Sequence, residues 1–249
     1  MPDYRQPCFS GLPFRFVCNP GMVSIFTQNR LNDMIVVREI SKSFGNRKIL
    51  DGISFELHES DRLGIVGESG SGKTTILRLI AGLDLPDKGE IHIDGSIVTN
   101  PRWSLEPHKR NLGFVFQSPA LWPHMTVAQN ILFGMDGTPK KIVLKRFNDL
   151  ILRLKLSGLE KQYPDQLSAG EARRVSIART FASKPKRILM DEPLTNLDPD
   201  LKELLLRFIT EFISESGSSL IYVSHDRSEI ERIVDRILYL ENGKLSLSE

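Results

Sequence analysis

The sequence predicts an α/β fold, and three stretches predict it. Gly67-Glu68-Ser69-Gly70-Ser71-Gly72-Lys73-Thr74-Thr75 is a glycine-rich loop set between a strand-like run, 63–66, and a helical run, 74–81. The runs 187–190 and 219–223 are apolar without alternation, which suits strands covered on both faces, as in a parallel sheet. Between these two groups, at about 119–184, strand character gives way to helical periodicity.

The glycine-rich loop carries the chemistry. Its spacing, Gly67 to Gly72-Lys73-Thr74, is G-x-x-x-x-G-K-[ST], the pattern of a phosphate-binding loop. Glycines let successive backbone N–H groups converge on an anion, because no Cβ blocks the close approach of oxygen. Lys73 supplies a cation for the β- and γ-phosphates, and Thr74 offers a hydroxyl to Mg²⁺, a hard ion that prefers oxygen. Strand, loop and helix in that order aim a helix N-terminus at phosphate. In the helix Ile76, Leu77, Ile80 and Leu83 are expected on one side, with Gly82 as the stop.

The remaining elements follow in order. Residues 1–33 carry four prolines and no sustained period, and are expected to be an extension outside the fold, which then occupies 34–249. Strands are expected at 34–41 and 53–57, with a turn at Gly45-Asn46 and Phe44 just before it. A hairpin at 90–93 and 96–98 turns on Asp94-Gly95. A strand at 112–116 ends at Gln117. A helix over 141–156 would bury Leu144, Phe147, Ile151 and Leu154. Its cations, Lys140, Lys141, Lys145, Arg146, Arg153 and Lys155, read as a solvated face. A second helix, 171–183, repeats Val175, Ala178 and Ala182 on one side. Asp198 can cap a further helix with Pro199 at its first position, Leu201, Leu204, Leu205, Phe208 and Phe212 as its buried stripe, and Gly217 as its end. The last hairpin, 237–240 and 244–247, turns on Asn242-Gly243.

Composition bounds the function. The chain has 249 residues, enough for one large domain or a core with a subdomain. A net charge of +2 gives no reason to expect a nucleic-acid partner. No apolar run approaches the ~18 residues that span a bilayer. The two cysteines, Cys8 and Cys18, lie outside any metal-type cluster, which fits a reduced, cytoplasmic setting.

Asp191-Glu192 ends a buried strand. Two adjacent carboxylates emerging from an apolar strand are costly without a task. In a phosphoryl-transfer site one can hold Mg²⁺ and the other orient water. Leu167-Ser168-Ala169-Gly170-Glu171 then decides the family. With the motifs above, over about residues 34–247, it resembles the ATP-binding subunits of ABC transporters, whose signature reads L-S-G-G-Q at the start of a helix.

That resemblance implies a P-loop ATPase core with an antiparallel β part and an inserted α-helical subdomain at about 119–184. It implies ATP and Mg²⁺ as cofactors, and two copies arranged head to tail, the P-loop of one facing Ser168–Gly170 of the other. By position, Phe44 matches the aromatic that stacks on adenine, and Gly67 through Thr75 the phosphate loop. Gln117 matches the glutamine that contacts Mg²⁺ and the attacking water. Asp191 matches the Mg²⁺-side aspartate, Glu192 the catalytic base, Thr195-Asn196-Leu197-Asp198 the D-loop, and His225 the switch histidine. Three residues depart from the pattern: Ala169 for glycine, Glu171 for glutamine, and Asn196 for the D-loop alanine. A Cβ at Ala169 is expected to narrow the backbone choices there.

The resemblance also implies a separate transmembrane permease, a solute-binding protein, and a peripheral place on the cytoplasmic face of the inner membrane. Residues 117–127 look like those of importers serving inorganic ions and other small solutes. An exporter subunit is the nearer alternative. A soluble relative acting in DNA repair or translation would usually show coiled-coil insertions, zinc cysteines or tandem cassettes, and none is written here. The apolar loop Ala120-Leu121-Trp122-Pro123-His124-Met125 is expected to dock the permease, with Leu121 as a groove residue; the alternative is that Leu121 and Trp122 fill the core of the helical subdomain.

Overall fold

Residues 34–135 and 137–247 are the described part of the chain, a computed structural model. The extension expected at 1–33 lies outside the described residues. In chain order the elements are β1 (Ile35–Phe44), β2 (Arg47–Leu57), β3 (Arg62–Val66), α1 (Lys73–Ala81), β4 (Lys88–Ile93), β5 (Ser96–Asn100), β6 (Trp103–Ser104) and β7 (Leu112–Val115). Then come α2 (Val127–Phe133), α3 (Lys140–Arg153), α4 (Ala169–Ala182), β8 (Arg187–Asp191), α5 (Pro199–Ser216), β9 (Ser219–Ser224), α6 (Arg227–Ile230), β10 (Arg236–Glu241) and β11 (Lys244–Leu247).

Two sheets divide the strands. One runs β11-β10-β3-β9-β8-β7 and is parallel except for the β10–β11 hairpin. The other, β2-β1-β4-β5-β6, is antiparallel throughout. Every residue of β8 and β9 is buried. Side chains still alternate along them, but between two cores: Ile188, Met190, Leu220 and Tyr222 enter one, Leu189, Ile221 and Val223 the other. A strand with a core on each face therefore reads as an unbroken apolar run.

The second of those cores joins the two sheets around α1. It holds Ile35, Leu50, Leu63 and Ile65 together with Ile76, Leu77, Leu79 and Ile80. α1 is thus apolar on more of its surface than the one-sided stripe expected from sequence. Leu79 is buried, whereas Leu83, past the left-handed Gly82 cap, is 38% exposed.

The first core lies between the parallel sheet and the helices of the middle segment. Phe181 meets Phe212 edge-on at 4.5 Å and Phe208 at 5.3 Å, and truncating such a ring to Ala costs about 3–5 kcal/mol. The described residues of 119–184 contain α2, α3 and α4 and no strand. α2, which periodicity did not single out, opens on a capping box between Thr126 and Gln129. α3 stops at Arg153, three residues early, because Lys155 turns left-handed. Leu144 does not join its buried face and is 62% exposed. Two of its cations are not solvated bystanders either. Arg153 reaches Glu211 and Glu215 of α5, each at 3.1 Å, and lies over the Phe208 ring. Arg146 donates to the Ala182 carbonyl at 2.7 Å.

Candidate functional site

The phosphate loop leaves the C-terminal end of β3 at the centre of the parallel sheet. Gly67 has no room for a side chain: a Cβ there would stand 2.6 Å from the Leu240 carbonyl oxygen. Gly72, the residue before α1, has φ +112°, and a Cβ would meet Ile49 at 2.7 Å. Both positions therefore demand glycine. Lys73 folds back under the loop and is almost wholly buried, its Nζ donating to the carbonyls of Gly67 at 2.7 Å and Glu68 at 2.8 Å. Burial lowers its pKa, against the opposing pull of Glu192 and Asp191. Glu68, Ser69, Gly70 and Ser71 line a cleft that also takes in His225 and the β10–β11 turn. Thr75, the third residue of α1, is half-buried.

The carboxylates meet this loop from the end of β8, two strands away across β9. Thr74 Oγ1 donates to Asp191 Oδ1 at 3.0 Å. Asp191 is buried, and burial is the main cause that raises its pKa. A hydroxyl and a buried carboxylate converging at this distance are the hard oxygen donors that suit Mg²⁺, which takes few protein ligands and fills the rest with water and phosphate. Glu192 follows with φ +44°, a left-handed turn that swings its side chain away from the strand. Its Oε1 lies 3.7 Å from Lys73 Nζ. Its Oε2 lies 3.2 Å from His225 Nδ1 and accepts from Thr195 Oγ1 at 3.3 Å. Lys73, Thr74, Asp191, Glu192 and His225 thus gather from three segments, the start of α1 and the ends of β8 and β9.

Gln117 is exposed just beyond β7, and its carbonyl accepts from the buried Arg173 of α4. Phe44 is 54% exposed at the end of β1, with Lys42 Nζ 5.3 Å over its ring, so it is no core residue. It does not line the cleft beside the loop.

The signature segment explains two of its own departures. Ser168 caps α4, and Glu171 answers as its partner: Glu171 Oε2 accepts from the Ser168 amide at 2.8 Å and from its hydroxyl at 2.7 Å. A glutamate fills the third position of a capping box as well as glutamine does. These bonds lower the Glu171 pKa. Ala169 is the first residue of α4 and exposed. The expected backbone restriction does not arise, since any residue adopts a helical φ. Gly170 is constrained from outside its own segment: a Cβ would stand 2.8 Å from Leu201 of α5. In the D-loop Asn196 takes φ +60°, a conformation asparagine tolerates better than alanine. Leu197 packs on the first core, and Asp198 caps α5, accepting from the Leu201 amide at 2.9 Å.

The apolar loop divides. Leu121 is half-buried and packs against the first core, as the alternative reading of the loop had it. Trp122 is 44% exposed, beside Phe133 of α2 at 57%, with ring centroids 6.0 Å apart. The fully buried Asn130 holds the loop, accepting from the Trp122 amide at 2.9 Å and donating to the Met125 carbonyl at 3.0 Å. Neither Asn130 nor Arg173 was singled out in the sequence. Each is one polar residue in a helix whose partners are backbone groups, and no spacing rule reports that.

Among the described residues no helix is long and apolar enough to cross a membrane. A family model described as ABC transporter matches residues 50–195. The probable sulfate/thiosulfate import ATP-binding protein of Chlorella vulgaris is 38% identical over 213 residues, covering 85% of this chain and 89% of that one. The Fe(3+) ions import ATP-binding protein of Pasteurella multocida is 38% identical over 216 residues, 86% of this chain and 61% of that one. The sulfate/thiosulfate import ATP-binding protein of Caulobacter vibrioides is 39% identical and covered over 63% of its length. The chain thus spans about six-tenths of these bacterial relatives. Among solved structures, the dimeric post-hydrolysis state of the ATP-binding cassette MJ0796, bound to ADP and Pi, superposes with a TM-score of 0.75 at 29% identity. The match covers 86% of this chain and 97% of that one.

Proposed function

This chain belongs to the ABC transporter family and matches its ATP-binding subunits, and from that premise we propose that it hydrolyses ATP to energise solute import through a separate permease. The observation that carries the reading is the cluster of Lys73, Thr74, Asp191, Glu192 and His225 around the start of α1.

In that site the backbone N–H groups of residues 67–75 and the N-terminus of α1 hold the phosphates. Lys73 supplies positive charge to the β- and γ-phosphates. Thr74 and Asp191, with Gln117 from the end of β7, would hold Mg²⁺, which would supply positive charge to the phosphate oxygens. Glu192 accepts a proton from water as it attacks the γ-phosphorus in line with the leaving ADP oxygen, giving ADP and phosphate. His225, at hydrogen-bond distance from Glu192, orients that carboxylate and meets the γ-phosphate. Phe44 stacks on adenine. Ser168, Ala169 and Gly170 of a second copy close the site, presenting the N-terminus of α4 to the γ-phosphate.

The relatives' names and importer-like residues 117–127 support an inorganic ion, such as sulfate or ferric iron, as the imported solute. The partners are then a permease, a second copy and a solute-binding protein, with the chain peripheral on the cytoplasmic face of the inner membrane. Exposed Trp122 and Phe133 form the permease-docking surface next to Gln117, where ATP chemistry and transport can be coupled.

Glu192→Gln tests the centre of this reading. It keeps the shape of the side chain and removes the base. ATP binding by calorimetry should be retained, turnover should fall by about 100-fold or more, and an ATP-bound dimer should accumulate in light scattering. Parental turnover in the variant would sink the assignment.

A further inference from the structure

Lys202 and Asp226 take no part in holding phosphate, yet they stand beside the hydrolytic pair. Asp226 directly follows His225. Its Oδ1 caps α6, accepting from the Ser228 hydroxyl at 2.7 Å and the Glu229 amide at 3.3 Å. Its own amide donates to Ser224 Oγ at 3.0 Å. The backbone is therefore tied down on both sides of His225. The second oxygen, Oδ2, accepts from Lys202 Nζ at 2.8 Å.

Lys202 belongs to the first turn of α5, and its amide donates to the Asp198 carbonyl at 2.9 Å. Asp198 is also the last residue of the D-loop. The Lys202 ammonium lies 2.7 Å from Glu229 Oε2 as well. Glu229 is only 3% exposed, and its other oxygen accepts from the buried Tyr222 hydroxyl. A buried carboxylate is stable only with a counter-charge. Lys202 is thus held from two sides and cannot swing away without orphaning Glu229. Lys202 is the first cause of the low Asp226 pKa, so the pair stays ionised at neutral pH.

We propose that Lys202 is a positioning residue for His225, coupling the backbone that carries the histidine to the first turn of α5. The setting of His225 against Glu192 then follows the position of residues 195–198. This rests on the reading of Glu192 and His225 as the hydrolytic centre. A purely stabilising ion pair would move the melting temperature alone; a positioning pair acts on kcat through His225.

Steady-state ATPase kinetics on the full chain separate the two. Lys202→Met should lower kcat about tenfold while leaving KM within about twofold, the scale of one lost orienting hydrogen bond. Lys202→Arg should recover at least about half of the loss, since it keeps the cation. In a His225→Ala background, Lys202→Met should lower kcat by less than about twofold more, because coupled residues are not additive. A full second tenfold loss in that background would overturn the proposal, as would parental kcat in a folded Lys202→Met. If Lys202→Met does not fold, Asp226→Asn keeps the cap, cuts the same link and carries the same expectations. Parental turnover in Glu192→Gln removes the functional reading and this proposal together. Lost turnover there combined with parental turnover in Lys202→Met removes this proposal alone.

Discussion

Replacing Arg173 with methionine keeps an apolar stem in α4 and removes the guanidinium that joins this helix to the end of β7. That group donates to the Phe116 carbonyl at 2.8 Å and to the Gln117 carbonyl beside it. Arg173 is 7% exposed, and burial lowers its pKa, so its charge rests on backbone oxygens in a dry setting. A hydrogen bond from a charged group contributes about 1.5–3 kcal/mol. Relief from burying the charge returns part of the loss of two such bonds, which leaves a destabilisation of about 2–4 kcal/mol. At about 2–4 °C per kcal/mol for a domain of this size, Tm should fall by about 4–16 °C. Turnover should fall too, because Gln117 loses the anchor of its carbonyl. Thermal denaturation followed by circular dichroism, paired with an ATPase assay, reads both. A Tm within about 2 °C of the parent would refute the reasoning, since two carbonyls cannot lose a charged donor in a buried site without consequence.

Phe44→Ala should weaken ATP binding by about 1–3 kcal/mol, the usual worth of base–aromatic stacking, and GTP binding similarly, because a ring face does not read base edges; unchanged affinity by calorimetry would remove the aromatic from the site. A chain beginning at Met34 should fold and hydrolyse ATP like the full sequence, and insolubility or a large fall in Tm would make residues 1–33 part of the fold. Trp122→Arg should leave the ATPase activity of the isolated subunit intact and weaken co-purification with its permease from membranes. Normal assembly together with normal transport would rule that surface out.

Local chemistry made much of the site readable. A glycine-rich loop, a lysine, a hydroxyl and a carboxylate pair each need fixed residue types at short spacing, so the segments 67–75 and 191–192 stand out in the chain, whereas 167–171 and 195–198 were marked by the family resemblance. Helix ends were equally legible at α5, where Asp198, Pro199 and Gly217 occupy the positions that capping chemistry requires. Boundaries without such residues slipped: α3 was expected to run on to Leu156 because Leu154 continues the apolar spacing, yet Leu154 and Leu156 are buried past its last turn.

What sequence by itself determined about this protein is the order and kind of most of its elements and the candidate phosphate-handling groups, because period, capping and loop geometry act over a few residues. Only the tertiary structure decided which distant groups meet. β1 pairs with β4 as well as with β2, α1 is enclosed by two sheets, and Leu121 is drawn into a core while Trp122 stays out. The same holds for the backbone partners of Arg173 and for the link from Lys202 to Asp226, 24 residues apart. Burial and long-range pairing depend on how layers stack, and stacking is a property of the whole chain that no local spacing encodes.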